Sequence, residues 1–98
     1  MSKKLLEDTK QALSKAKTSI RCEEMARQLR RLGFDVRDGK RGGHKIVFHD
    51  GIPGFTSASY NCGHGKNPEI KPAYVNEILK ILDLYKDEIN NYLETKKP

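Results

Sequence analysis

The chain has 98 residues, enough for one small domain and too few for a second hydrophobic core. Apolar residues make up 36% of it, which is lean for a globular domain but above the disordered range, and no apolar run is long enough to span a membrane. The formal net charge is +6, and the excess lies in residues 1–50, because residues 51–98 carry 6 basic and 6 acidic side chains. A basic half points to an anionic partner, with nucleic acid the first candidate, while a solvated charged surface is the alternative that the net charge alone does not exclude.

Two amphipathic helices are predicted in the basic half. Residues 3–16 place apolar side chains at helical spacing, and Ser2 is positioned to cap the first turn. Residues 21–32 follow the i, i+3, i+4, i+7 rule, and Gly33 stands where a C-cap glycine belongs.

The period then changes to that of strands. Residues 34–37, 44–49 and 55–62 are predicted as three strands, separated by glycine-rich turns. Pro72 begins a last helix, and an apolar stripe predicts that this helix continues to about residue 94. Such a helix is long for a small domain, so its last turns are expected either to pack on the first helix or to project from the domain. This order predicts an α+β fold in which helices cover one face of a three-stranded antiparallel sheet and leave the other face open.

The segment between residues 37 and 45 is the densest candidate site. It combines cations with a glycine-flanked histidine: Arg37, Lys40, Arg41, Gly43, His44 and Lys45. Lysine and arginine neutralise phosphate charge, glycine lets a phosphate approach the backbone, and a histidine exchanges protons near neutral pH. On spacing alone, the commoner interpretation of His44 is a structural or merely exposed strand histidine.

Other candidates are weaker. His64 and Lys66 lie in a glycine-containing loop, where they either contact a phosphate or are ordinary polar residues. His49, of opposite parity to His44, is expected to face solvent at a strand end. Tyr60 is the tyrosine expected to be available to a partner.

The two cysteines, Cys22 and Cys62, are 40 residues apart and form no CxxC pair. The N-terminus lacks the apolar stretch of a signal peptide, so we expect a cytoplasmic protein without membrane contact and with both thiols reduced. A zinc site with His64 lacks the two close ligand pairs that structural zinc requires, so no metal is expected.

Several segments together resemble the HicA toxins, small mRNA interferases of type II toxin–antitoxin systems. They are Ile20–Met25, Leu32–Phe34, the Gly42–Phe48 segment with its Gly-Gly-His start, and Lys71–Leu79. The resemblance covers roughly residues 19–90 and leaves the helix at 3–16 outside the compact form of the family. Gly43 stands where a serine is commoner, and Lys45 where many members have a second histidine.

The resemblance implies a double-stranded-RNA-binding-domain-like fold and a metal-independent ribonuclease whose catalytic histidine maps onto His44. A second histidine of the family maps more loosely onto His64. The expected partners are an mRNA substrate and a HicB-like antitoxin that covers the active surface, with no direct DNA contact.

We therefore expect an accessory helix at residues 1–18 and a ribonuclease domain at 19–98, within a single domain overall. His44 and His64 are the expected catalytic pair, and no cofactor or metal is required. The residues expected to bind RNA are Arg37, Lys40, Arg41, Gly43, Lys45 and Lys66. The alternatives are a non-catalytic RNA-binding module, which would use the same basic hairpin, and a protein-interaction domain.

Overall fold

The structure is a computed structural model, and it describes residues 2–16, 19–40, 42–63 and 65–95. Within these described residues, seven elements follow one another. They are α1 (Ser2–Lys15), α2 (Cys22–Arg31), β1 (Asp35–Asp38), β2 (His44–Phe48), β3 (Ala58–Asn61), α3 (Pro72–Leu84) and α4 (Lys86–Thr95). The predicted α+β class is confirmed, and α2 to α3 run in the helix–three strands–helix order of a double-stranded-RNA-binding-domain-like fold.

The three strands form an antiparallel sheet in the order β1-β2-β3. The N–H of Gly39 donates to the carbonyl of His44 at 2.7 Å and closes the β1–β2 hairpin. The third strand is shorter than predicted, because regular pairing begins only at Ala58 and residues 55–57 lie outside the ladder.

Alternation along the strands gives the sheet two different faces. Val36, Val47 and Tyr60 are buried in the hydrophobic core that the sheet shares with the helices. The other face, called the open face here, carries the residues of opposite parity: Arg37, His44, Ile46, Ser59 and Asn61. The predicted arrangement of one covered and one open face is therefore confirmed.

Helix α1 is part of the same core. Leu6 and Leu13 are fully buried in the single hydrophobic cluster, and α1 packs against both α3 and α4. The Nζ atom of Lys10 also lies 3.3 Å from a carboxylate oxygen of Asp83 on α3. The division of the chain at residue 18 stays a prediction.

The single last helix expected from the sequence is instead two helices. The chain leaves helical geometry at Tyr85, with φ −105° and ψ 22°, between α3 and α4. The ring of Tyr85 packs edge-on against Phe55, with centroids 5.3 Å apart, so the break serves a packing contact. Tyr85 is partly buried against the core, as its place on the apolar stripe predicts.

The expectation of two reduced cysteines is wrong. Cys22, the first residue of α2, forms a disulfide with Cys62, directly after β3, and their Cα atoms are 5.4 Å apart. A backbone hydrogen bond fixes each cysteine: Cys62 N–H donates to the carbonyl of Gly43, and Cys22 N–H donates to that of Pro68. Neither sulfur is therefore a free thiolate for a zinc ion.

His49 is buried, not solvent-facing, and only 4% of it is exposed. Its Nε2–H donates to the carbonyl of Leu32 at 3.1 Å, and its Nδ1 accepts the N–H of Gly51 at 3.1 Å. Rings of Phe34 and Tyr92 pack against it edge-on. The parity that places it opposite to His44 also points it towards the core, where burial lowers its pKa.

Tyr60 is also buried, with 1% exposed, so it is not available to a partner as expected. It pairs with Lys45 on the covered side of the sheet, where alternation directs its ring inward. Within the part of the chain that the structure describes, its hydroxyl has no hydrogen-bond partner. Burial raises the pKa of this hydroxyl to about 12.

Among the residues that the structure describes, no helix is long and apolar enough to cross a membrane, and no three His, Cys, Asp or Glu side chains are grouped so that they could hold a metal ion.

Candidate active site on the open face

His44 begins β2, on the open face, and its side chain is held by a short polar network. Its Nδ1 lies 2.9 Å from Oδ1 of Asn61, the residue directly opposite on β3. The amide nitrogen of Asn61 donates in turn to the hydroxyl of Tyr74 on α3, at 2.8 Å.

This network selects one tautomer of the imidazole. Since the amide of Asn61 uses its N–H for Tyr74, it offers its oxygen to His44, and Nδ1 carries the proton in the neutral ring. The second nitrogen, Nε2, makes no hydrogen bond within the described residues. A half-buried histidine with its tautomer fixed and Nε2 unprotonated is equipped to take a proton from a bound molecule.

Two glycines set the position of the imidazole. A Cβ atom at Gly39 would overlap the ring of His44, so the turn must be without a side chain there. Gly43 has a positive φ of 80°, and a Cβ atom there would overlap the carbonyl oxygen of Gly63. The space freed at Gly43 is therefore filled by the chain itself, and a serine at this position would need the backbone to shift.

Lys45 lies on the other side of the sheet from His44. Its ammonium forms an ion pair with Asp38 across the β1–β2 hairpin, and about 25% of its side chain is exposed. The hydrogen bond and charge of Lys45 hold the pKa of the Asp38 carboxyl below its ordinary value. Lys45 is thus neutralised within the hairpin and directed away from the imidazole.

Arg37 shares the open face with His44, but its side chain contacts residues at the opposite end of that face. Its Nε lies 2.6 Å from a carboxylate oxygen of Asp35, and its guanidinium stacks over the ring of Phe48 at 5.2 Å. Phe48 is four residues along β2 from His44, about 13 Å at the usual strand rise. Lys40 and Lys66 are exposed and form no ion pair with any residue that the structure describes.

A small cavity lies next to Asn61, between the end of β3 and the start of α3. Its volume is about 170 Å³. The residues that line it are Asn61, Cys62, Gly63, Glu69, Lys71 and Tyr74. It therefore adjoins the same two side chains that hold the imidazole of His44.

Comparison with known families supplies the decisive observation. Residues 22–84, nearly two thirds of the chain, match the family described as "HicA toxin of bacterial toxin-antitoxin". The chain belongs to the HicA toxin family. Membership of this family indicates the toxin component of a toxin–antitoxin system, and it implies an antitoxin as partner. Neither the curated proteins nor the solved structures contain a match to it.

The HicA match coincides with structural boundaries. It begins at Cys22, where α2 begins, and ends at Leu84, where α3 ends. The family unit is therefore the sheet with α2 and α3, and α1 and α4 lie outside it.

Of the site residues expected from the sequence, the structure brings His44 and Gly43 together with the loop at Gly63. His64 and Arg41 lie outside the described residues. The sequence prediction did not include Asn61 and Tyr74, the two residues whose hydrogen bonds orient His44. The signal for Asn61 is the strand register, since a polar residue ending β3 faces His44 only in the observed pairing.

Proposed function

We propose that this HicA family member is a metal-independent endoribonuclease that cleaves mRNA. The observation that supports this most is the half-buried His44 of the open face, whose Nδ1 is bound to Asn61 and whose Nε2 is left for proton transfer. An activity of this kind needs an oriented base beside a surface that attracts phosphate, and the basic half of the chain supplies the charge.

In the proposed reaction His44 acts first as a base. Its Nε2 accepts the proton of a ribose 2′-hydroxyl, the 2′-oxygen attacks the adjacent phosphorus, and the bond from phosphorus to the 5′-oxygen breaks. The leaving 5′-oxygen takes up a proton from a second group or from water. The products are a 2′,3′-cyclic phosphate and a 5′-hydroxyl, and no enzyme nucleophile or metal ion takes part.

We assign the second proton transfer to His64. Gly63 packs against Gly43, so the loop that continues to His64 starts beside the residue that precedes His44. One histidine cannot hold and release a proton at the same moment, which is why a second group is needed.

Phosphate binding is assigned to the exposed cations of the basic hairpin and of the following loop. Lys40 and Arg41 would neutralise charge that develops at phosphorus, while Arg37 and Lys66 would anchor the strand. Lys45 receives a lesser role, because it would have to leave Asp38 to reach RNA on the open face. A HicB-like antitoxin is assigned as the protein that covers this face.

The test is cleavage of a single-stranded mRNA fragment by the purified full chain and by a His44→Ala variant. We expect the variant to stay folded, because His44 lies outside the hydrophobic core, and to lose at least about 100-fold in cleavage rate. Product ends are identified by their resistance or sensitivity to a phosphatase and a cyclic phosphodiesterase. Circular dichroism of both proteins is the control for folding.

The outcomes separate the function classes. Retained cleavage in His44→Ala would rule out the assigned base, and cleavage lost in EDTA would indicate a metal enzyme. Salt-sensitive RNA binding by both proteins without any turnover would indicate a non-catalytic binding module. Absence of RNA binding would favour a protein-interaction domain.

A further inference from the structure

We propose that the cavity beside Asn61 is a subsite for a guanine base of the RNA, next to the scissile phosphate. This inference rests on the proposed ribonuclease function and specifies its substrate. The cavity adjoins Asn61 and Tyr74, and Asn61 contacts the imidazole of His44. A nucleotide whose 2′-hydroxyl reaches His44 therefore has its own base, or that of its neighbour, within reach of the cavity.

The size of the cavity selects its occupant. Its volume of about 170 Å³ is below the ~300–1,000 Å³ of sites for drug-sized ligands. A single base fits this scale better than a whole nucleotide does. The half-buried Tyr74 forms part of the wall and offers an aromatic ring, the kind of surface on which unstacked bases are held.

Glu69 and Lys71 supply opposite hydrogen-bonding chemistry at this cavity. They flank the buried Ile70 in extended backbone, so alternation places both side chains on the side away from the core. Both are exposed, and neither has an ion-pair partner among the described residues. Arg21, the backbone bridge partner of Glu69, does not pair with its carboxylate: the guanidinium of Arg21 donates to the carbonyl of Asn67 at 2.8 Å.

This pair matches the Watson–Crick edge of guanine. A carboxylate only accepts hydrogen bonds, and guanine offers it two adjacent donors, N1–H and the exocyclic N2–H. The third group on that edge, the O6 oxygen, accepts a hydrogen bond from an ammonium such as that of Lys71. Adenine, cytosine and uracil lack the two adjacent donors.

The backbone around the cavity is fixed before any ligand arrives. Glu69 forms an isolated antiparallel bridge with Arg21, and Ile70 N–H donates to the carbonyl of Ile20 at 2.9 Å. On the opposite wall, the disulfide fixes Cys62. A preorganised pocket discriminates between bases better than a flexible loop does, because less ordering is required on binding.

The cleavage arm of the test uses RNAs that differ only in the nucleotide beside one cleavable bond: guanosine, inosine, adenosine, cytidine or uridine. We expect the guanosine RNA to be cleaved at least about tenfold faster than the adenosine, cytidine and uridine RNAs, and the inosine RNA to be cleaved at an intermediate rate because inosine lacks the N2 amino group. In Glu69→Gln the guanosine preference should disappear, with the rate on the guanosine RNA falling to that on the adenosine RNA. Glu94→Gln, an exposed glutamate far along α4, is the matched control and should keep the preference.

The binding arm uses the full-length His44→Ala variant and the same RNAs with a fluorescent label, measured by anisotropy. We expect tighter binding of the guanosine RNA, and loss of that difference when Glu69→Gln is added. Equal binding of all RNAs, preference for another base, or a guanosine preference that survives Glu69→Gln would overturn the subsite. Guanosine-selective binding without any cleavage by the unaltered protein would support the subsite and contradict the ribonuclease.

Discussion

Two histidines at opposite ends of β2 show how environment sets the role of a side chain. His44 is bound through Nδ1 to an amide, and its second nitrogen is left over. His49 uses both nitrogens for backbone groups and is enclosed by the rings of Phe34 and Tyr92. The first is suited to proton transfer, whereas the second holds the sheet against the helices.

Burial of His49 predicts a loss of stability in weak acid. Because its pKa in the folded state is below the ordinary 6.5, the unfolded chain binds this proton more readily. The contribution is complete above pH 6.5 and is lost as the pH falls through that value towards the lower folded pKa. When the pH is lowered from about 7.5 to about 5.5, we expect the urea concentration at the unfolding midpoint to decrease. The decrease should be smaller in His49→Gln, which keeps an N–H donor for the carbonyl of Leu32. Equal pH dependence in the two proteins would contradict this role.

The residue-level site was only partly predictable from the sequence. The Gly-Gly-His pattern is enough to predict His44 as a candidate, because its three residues are consecutive in the sequence. Asn61 lies 17 residues from His44 on another strand, and Tyr74 lies on helix α3, so only the strand register reveals the first of them. The same register buries Tyr60, whose aromatic ring had suggested a base-stacking role.

At the scale of elements, periodicity predicted where helices form better than where they end. The start of α3 at Pro72 is predictable because a proline at the first helical position needs no N–H partner. The break at Tyr85 is not, because the apolar stripe continues across it from Leu82 to Ile89 without a glycine or proline. Tertiary packing of Tyr85 on Phe55 accompanies the break.

Helix α1 is predicted to be needed for stability, although it lies outside the family unit. Leu13 is fully buried in the shared core, so Leu13→Ala should lower the free energy of unfolding by about 2–5 kcal/mol. Gln11→Ala, on the exposed side of the same helix, is the control and should change it by less than about 0.5 kcal/mol. Urea denaturation followed by circular dichroism measures both. Similar small changes in the two variants would show that α1 does not contribute to the core.

At the scale of the whole molecule, the disulfide closes a loop that contains the entire sheet. Cys22 and Cys62 are separated by 40 residues, and constraining such a loop in the unfolded chain is worth about 2–4 kcal/mol. We expect a reducing agent to lower the urea midpoint of the protein accordingly. A double variant, Cys22→Ala with Cys62→Ala, should start at the lower midpoint and not respond to the reductant. An unchanged midpoint in protein whose thiols are shown to be free would contradict this stabilisation.

The disulfide was not predictable from cysteine spacing. No local motif joins Cys22 to Cys62, and the expectation of a reducing compartment argued against a bridge. In the folded chain the end of β3 is hydrogen-bonded to Gly43, and the start of α2 is hydrogen-bonded to Pro68. These are long-range contacts, which belong to the assembled fold and not to any segment of the sequence.

The contact between α1 and α4 has a consequence for how this chain can vary. The two helices lie on either side of the matched segment 22–84, yet they pack against each other and α1 also packs against α3. Both helices bury apolar side chains in the shared core, Leu6 on α1 and Ile89 on α4, so removing one helix would expose part of the surface on which the other packs. The two helices should therefore be gained or lost together in evolution. A minimal version of the protein would need both removed and the uncovered side of α3 replaced by polar residues.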